Sequence, residues 1–343
     1  MKILKKALAN LFVFTLILSL VGCGDNSWSV KAGDNSLAPG VYIYYLSSAY
    51  SSAYNKVEDN TDVLGGQVDG ENATDWIKAE ALKSCKKLLA TEKKFDELKL
   101  SLTDEDLTTA DARTDSTWGQ YQSAFEGFGV SRDSYHRATS LFVAKYEKVY
   151  EYYYGDNGKE KISDDDLKKY FIENYTDYSY IKAEMLNTDG STSVMSDSEK
   201  DKMRSKFKSY ADAVNKGKTL EEVAKTYKSD YSVEGENIIE SGVEILDDLT
   251  SMDDKVKEAI KKLKSGKAEM FEYNNSCYVL YKGDINKAVQ KTLSDKDKKE
   301  DVLLAMKSKK FSDMIDKLVE KMEFSVNNSI IKKYKPTMFV PDK

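Results

Sequence analysis

Cysteine, proline and histidine are scarce: the 343-residue chain has three, three and one of them. Three cysteines cannot build the dense disulfide framework of a small secreted domain. Cys23 stands apart by its position, leaving Cys85 and Cys277. Cys85 shares a helical stripe with Ile77, Ala81 and Leu88, and Cys277 opens an apolar run. The pair reads as two buried small hydrophobes or as one long-range disulfide. The prolines are Pro39, Pro336 and Pro341, so long helices can run uninterrupted through residues 40–335. His136 has no second histidine or cysteine pair to support a metal or acid–base role, and reads as a satisfied helix position. Gly-rich phosphate loops, metal-ligand spacings and a G-x-S-x-G elbow are missing, so no cofactor or metal is expected. Asp164–Asp166 lacks the alternation of an EF-hand loop and reads as a solvated helix start.

Positive charge is also in deficit, with 52 Lys and Arg against 58 Asp and Glu. Such a balance argues against a nucleic-acid partner, because phosphate binding needs clustered cations. Both signs are interspersed, as on a soluble globular surface. Tyrosine is the abundant residue, with 23 copies. Its ring and hydroxyl suit both cores and adaptable binding surfaces.

The N-terminus carries Lys2, Lys5 and Lys6, then an apolar run from Ala7 to Leu20, then Val21-Gly22-Cys23. This is the layout of a secretory signal, residues 1–22. The run is shorter than the roughly 20 residues of a spanning helix. Its end resembles the lipobox of bacterial lipoproteins. The resemblance implies cleavage after Gly22, lipidation of Cys23 and a protein held on the extracytoplasmic face of the cell membrane. Loss of the three lysines takes the net charge from −6 to −9.

Residues 23–40 read as a linker with a short strand near Trp28–Ala32. Periodicity then predicts a helix over Val41–Tyr54, a loop over Asn60–Asn72 and a helix from Thr74 with Ile77, Ala81, Cys85 and Leu88 inward. Thr103 and Asp106 form a capping-box pattern. Ser131 starts one helix running through Tyr135, Phe142, Tyr146 and Tyr153, and Ser163 starts another. The period changes at Tyr178–Leu186, which reads as a strand. A helix capped by Ser196 with Glu199, a second short helix with Leu220, Val223, Ala224 and Tyr227, a partly extended loop at Asn237–Leu249, a helix over Met252–Leu263 and a hairpin turning at Asn274-Asn275 follow. A long amphipathic helix from about Ser294 to Met322 cannot bury its own stripe and must return to the first helices. The expected fold is therefore α+β: a mostly helical domain from residues 41–176 and 286–343, with an inserted α/β module at 177–285.

This layout resembles the PrsA/SurA foldase family, chaperones that carry parvulin-type peptidyl-prolyl isomerase modules. Three segments carry the resemblance: Ile162-Ser-Asp-Asp-Asp-Leu-Lys-Lys-Tyr170 with Glu173-Asn174-Tyr175, Ala224-Lys-Thr-Tyr-Lys-Ser-Asp230, and Ala259-Ile-Lys-Lys-Leu-Lys-Ser-Gly266. The resemblance implies a helical chaperone domain and a parvulin-like module with a small antiparallel sheet. It also implies a pocket with a histidine in the first strand, another in the last, a Cys or Asp after a Ser-Asp pair, and a Met/Phe wall. Here the corresponding candidates are Glu184, Tyr278, and Asp230 with Tyr231; Val256 and Ile260 stand near the expected phenylalanines, and Gly235-Glu236 replaces a glycine pair. Amide rotation has a barrier of about 20 kcal/mol, and its reduction calls for a shaped, desolvated site. The substitutions therefore favour a foldase for unfolded exported polypeptides over an active isomerase. A solute-binding or structural surface lipoprotein is the further alternative. The resemblance names the client class but not the client, and an exposed apolar groove would suit a homodimer.

Overall fold

The computed structural model describes residues 27–186, 194–233 and 237–340. The signal at 1–22, Cys23, the polar segment 187–193, the Gly235-Glu236 pair and Pro341 lie outside them. The fold is α+β and mostly helical. It divides into two compact units: residues up to 159 together with those from 310 onward, and residues 160–309 between them. These limits differ from the 176/177 and 285/286 boundaries expected from the pattern.

The first unit opens with a hairpin, β1 (Val30–Ala32) and β2 (Asn35–Leu37), and helix α1 (Pro39–Tyr54). Pro39 sits in the first turn of α1, where its missing N–H has no intrahelical role. The expected loop holds a 3₁₀ turn over Asn60–Gly65 and a minimal ladder of β3 (Gln67–Val68) and β4 (Glu71–Asn72). Asn72 then caps α2 (Ala73–Glu97) by accepting from the Thr74 N–H. Thr103 and Asp106 make the anticipated capping box of α3 (Asp104–Phe128). The single helix expected from Ser131 is two, α4 (Arg132–Ala138) and α5 (Ser140–Tyr154). They break at Thr139, with φ −120° and ψ −91°. The break is held by side chains: Thr139 Oγ1 donates to Tyr135 O, and Tyr45 Oη donates to the Ala138 carbonyl at 2.8 Å.

The second unit runs from α6 (Asp164–Asn174) through β5 (Thr176–Glu184), α7 (Asp197–Asn215), α8 (Leu220–Tyr231), β6 (Ile239–Glu244), α9 (Asp254–Lys262), β7 (Lys267–Tyr273), β8 (Ser276–Lys282) and α10 (Ile285–Ser294). Its four strands form one antiparallel sheet in the order β6-β5-β8-β7. Alternation along β5 and β8 sends Ile181, Ala183, Cys277 and Val279 under α7 and α8, where they meet Phe207, Val223 and Tyr227. Tyr178, Tyr180, Tyr278 and Leu280 point to the opposite face, under Val256 and Ile260 of α9. Asn274 and Asn275 both take positive φ at the β7–β8 turn, a conformation their short polar side chains tolerate. The outer edge of β7 is occupied at Ala268, whose N–H and C=O both bond the Asn215 side-chain amide.

A helix the pattern did not give, α10, precedes the final long helix, which lies close to the expected Ser294–Met322. The long helix is α11 (Lys296–Lys321), separated from α10 at Asp295, whose carboxylate accepts from the N–H groups of Asp297 and Lys298 and restarts the helix. Within the second unit, Val302 of α11 joins Leu167, Phe171 and Val289 in a small core, which draws α6 and α10 into that unit. Within the first unit, the far end of α11 buries Phe311 and Ile315. The Phe311 ring lies 4.6 Å from that of Tyr146 and 5.3 Å from that of Tyr150. The chain then adds β9 (Ser325–Val326), paired antiparallel to β1, and α12 (Asn328–Ile331). The sheet-bearing unit is thus inserted between two parts of the helical one.

Glu92 ties the first unit together. Its side chain is only 5 % exposed yet accepts from Arg137 Nη2 at 2.8 Å, Asn35 Nδ2 at 2.8 Å and Lys145 Nζ at 3.2 Å. The hairpin, α2, α4 and α5 are joined at one carboxylate. Burial pushes the Glu92 carboxyl upward, but the hydrogen bonds and charge of Arg137, with Lys145, outweigh it and hold the group below the usual range. Cys85 and Cys277 are both free, buried thiols, so the disulfide alternative falls; burial pushes Cys277 up to about 12.

Two outcomes follow from this packing. Phe311→Ala should destabilise the first unit by about 3–5 kcal/mol, read from its urea midpoint, with the second unit's transition unmoved. Arg137→Ala should cost about 3 kcal/mol by leaving Glu92 with a weaker set of partners. Because the folded Glu92 value lies below the unfolded one, its contribution is complete above the ordinary glutamate range and is lost as pH falls through the depressed value. Acid unfolding of the wild type should therefore flatten in Glu92→Gln, as urea melts across that range would show.

Candidate functional site

The β5 alternation sets the chemistry of the open sheet face. Tyr178, Tyr180, Lys182 and Glu184 project on one side, and register places Lys182 opposite Tyr278 and Glu184 opposite Ser276. On the other flank, β6 places Glu240 beside Tyr180 and Gly242 beside Tyr178. A Cβ on Gly242 would lie 2.9 Å from Tyr178 Oη, so only glycine lets that phenol cross β6 to donate to Glu244 at 3.0 Å. The Tyr180 hydroxyl donates to Glu240. The Tyr180 and Tyr278 rings sit 5.9 Å apart and tilted. Met252 and Val256 close the wall from the start of α9.

The result is a cavity of about 460 Å³ with a buried aromatic and aliphatic floor and an exposed polar rim. Tyr180 and Tyr278 are each 8 % exposed, whereas Lys182, Glu184, Glu240 and Asp253 reach solvent. Lys182 Nζ lies 3.4 Å from Glu184. Burial, aided by the hydrogen bond to Glu244, pushes Tyr178 up to about 12, and burial with the Glu240 bond raises Tyr180 further. These phenols are moved away from neutrality and from acid–base use.

The four residues singled out in the sequence do not converge. Glu184 and Tyr278 line this cavity. Asp230 and Tyr231 end α8, on the helical layer over the other face. There Asp230 accepts from Tyr210 Oη at 2.6 Å and from Lys206 Nζ at 2.9 Å, and the Tyr231 ring lies tilted at 5.2 Å from that of Tyr227. The sheet separates the two pairs. Tyr180, Lys182, Met252 and Glu240 were not foreseen as lining residues. The two-residue period of β5 carries the signal for the first two, whereas Glu240 sits in a segment whose pairing only the sheet reveals.

The first unit carries a second feature. Trp118, Tyr121, Phe125 and Phe128 recur along one face of α3 at helical spacing. Trp118 and Phe125 stack at 5.6 Å, Phe125 and Tyr135 at 4.9 Å, and Phe128 meets Phe339 edge-on at 5.0 Å. The stripe is buried at Trp118, half-buried at Phe125 and Phe128, and emerges at Tyr121, 53 % exposed. His136 is in this unit, with Nδ1 2.8 Å from Thr114 Oγ1, as a satisfied helix residue. Among the described residues no group of three His, Cys, Asp or Glu side chains is placed to hold a metal, and no helix is long and apolar enough to cross a membrane.

Among solved structures, the chain is similar to the foldase protein PrsA from Streptococcus pneumoniae, at 16 % identity and TM-score 0.37, covering 74 % of this chain and 87 % of that one. The foldase protein PrsA from Lactococcus lactis matches at 12 % identity and TM-score 0.34, over 90 % of this chain and all of that one (100 %). PrsA from Bacillus subtilis matches at 19 % and 0.26, over 81 % and 93 %. No protein-family model and no curated protein matches the chain.

The Asp230 carboxyl is held below its ordinary value by the Tyr210 hydroxyl first and Lys206 second. Tyr210→Phe should move that value upward, as a carbon-detected NMR titration of the Asp230 carboxylate would show.

Proposed function

We propose that the protein is a foldase-type chaperone for unfolded exported polypeptides, anchored through lipid on Cys23 and working without proline isomerisation. The observation that carries this reading is the aromatic stripe of α3, emerging at Tyr121. Such rings offer large contact area with little side-chain entropy to lose, which suits partners of varied sequence. The sheet-face cavity supports the absence of catalysis: it holds no imidazole, and its phenols are shifted away from neutral pH. The lipobox-like Leu20-Val21-Gly22-Cys23 supports the anchor; acyl chains bind a membrane at about 0.8 kcal/mol per buried methylene.

A second reading has one observation in its favour. The cavity lies on the face of a four-stranded antiparallel sheet, where a shaped, water-excluding wall alone could favour a twisted amide. A proline-peptide assay separates the two, and a rate clearly above buffer would replace the first reading by the second.

In the main test, the protein in several-fold excess should slow light scattering by an unfolded secreted client. The double variant Tyr121→Ser, Phe128→Ser should lose most of that effect without losing its own fold. No suppression by the wild type would overturn the reading. Cys23→Ser should move the protein from the membrane to the soluble fraction.

A further inference from the structure

We propose that the sheet-face cavity of the second unit binds a lysine or arginine side chain carried on an extended polypeptide segment. This rests on the client-binding reading above and adds to it the chemistry of one subsite.

Three exposed carboxylates, Glu184, Glu240 and Asp253, line the cavity against the single ammonium of Lys182. That ammonium is already beside Glu184, at 3.4 Å. The rim therefore has a surplus of negative charge, and the Tyr180 hydroxyl fixes Glu240 in place within it. Beneath the rim, the Tyr180 and Tyr278 rings offer aromatic faces, tilted 60° to each other. A cation over such a ring is attracted by its quadrupole. The buried Val256 and Met252 give the aliphatic stem of Lys or Arg an apolar wall, in the way long basic side chains cover apolar surface while their heads stay wet.

Other occupants fit less well. An acidic segment would meet the surplus carboxylates. A purely apolar one would cover rim charges without pairing them, which costs free energy. The net charge of the whole chain, −6, also draws basic segments toward it at low salt.

The test uses the full chain and labelled, proline-free extended peptides that differ only at a central Lys, norleucine or Glu, read by fluorescence anisotropy. The Lys peptide should bind about tenfold more tightly than the norleucine peptide, and the advantage should shrink as salt is added. The Glu peptide should bind most weakly. The triple variant Glu184→Gln, Glu240→Gln, Asp253→Asn should erase the Lys advantage over norleucine. Lys182→Glu, a separate change at an exposed position, should widen it, and so tests the same charge argument if the triple variant fails to fold.

Equal binding of the Lys and norleucine peptides, or a Lys advantage that survives in the folded triple variant, would overturn the assignment. If aggregation is suppressed through Tyr121 while the three peptides bind alike, the subsite fails and the chaperone reading stands. If the Lys preference holds and no client aggregation is suppressed, the chaperone reading fails and the cavity remains a site for basic segments.

Discussion

The helical unit is closed by the far end of its own chain, and most of the architecture depends on that closure. Phe311 fills the space between the Tyr146 and Tyr150 rings, and β9 continues the hairpin by pairing Val326 with Val30. Neither contact can be made by the first half alone. Everything between residues 160 and 309 is therefore an excursion that must begin and end at the helical unit. An inserted segment of that length is tolerated because loop-closure entropy grows only slowly with chain length. The excursion has its own cores and its own sheet.

Inside the inserted unit, the sheet acts as a chemical partition. The two-residue period sends one set of β5 and β8 side chains into an aliphatic layer and the other into a tyrosine-rich layer. The aliphatic face is fully roofed by two helices, and its polar residues, such as Asp230 with Tyr210, are tied up in local pairs at the margin. The tyrosine face is roofed by the short α9 with Leu246 and Leu249 before it, and stays open beside them. A cavity with carboxylates above and rings below is what that uneven roofing leaves. Burial and the acceptor carboxylates Glu244 and Glu240 both stabilise the neutral Tyr178 and Tyr180 phenols there.

Much of the fold was legible in the residues. Caps announced the helix starts at Thr103, Ser163 and Ser196, because a side-chain oxygen and a partner three residues on satisfy N–H groups that a helix start leaves free. The hairpin at Asn274-Asn275 was equally plain. The break at Thr139 was not, because apolar periodicity passes through it and the group that stabilises it, Tyr45 at the Ala138 carbonyl, is distant in sequence. Helix α10, just before the expected start of the long helix, was also missed. The site was half legible. Glu184 and Tyr278 share a face by strand alternation, but Asp230 and Tyr231 belong to a helix whose side of the sheet no local pattern encodes.

The insertion has a temporal side. Synthesis in chain order delivers residues 160–309 before residue 310, so every segment of the inserted unit precedes the wedge and the strand that close the helical one. At about 5–20 residues per second, the interval between finishing α5 and supplying Phe311 is roughly ten to thirty seconds. Throughout it the tyrosines of α5 are an unfilled socket. The unit that begins first thus matures last, and a transcript cut short before Val326 yields a product with one finished half and one permanently open one.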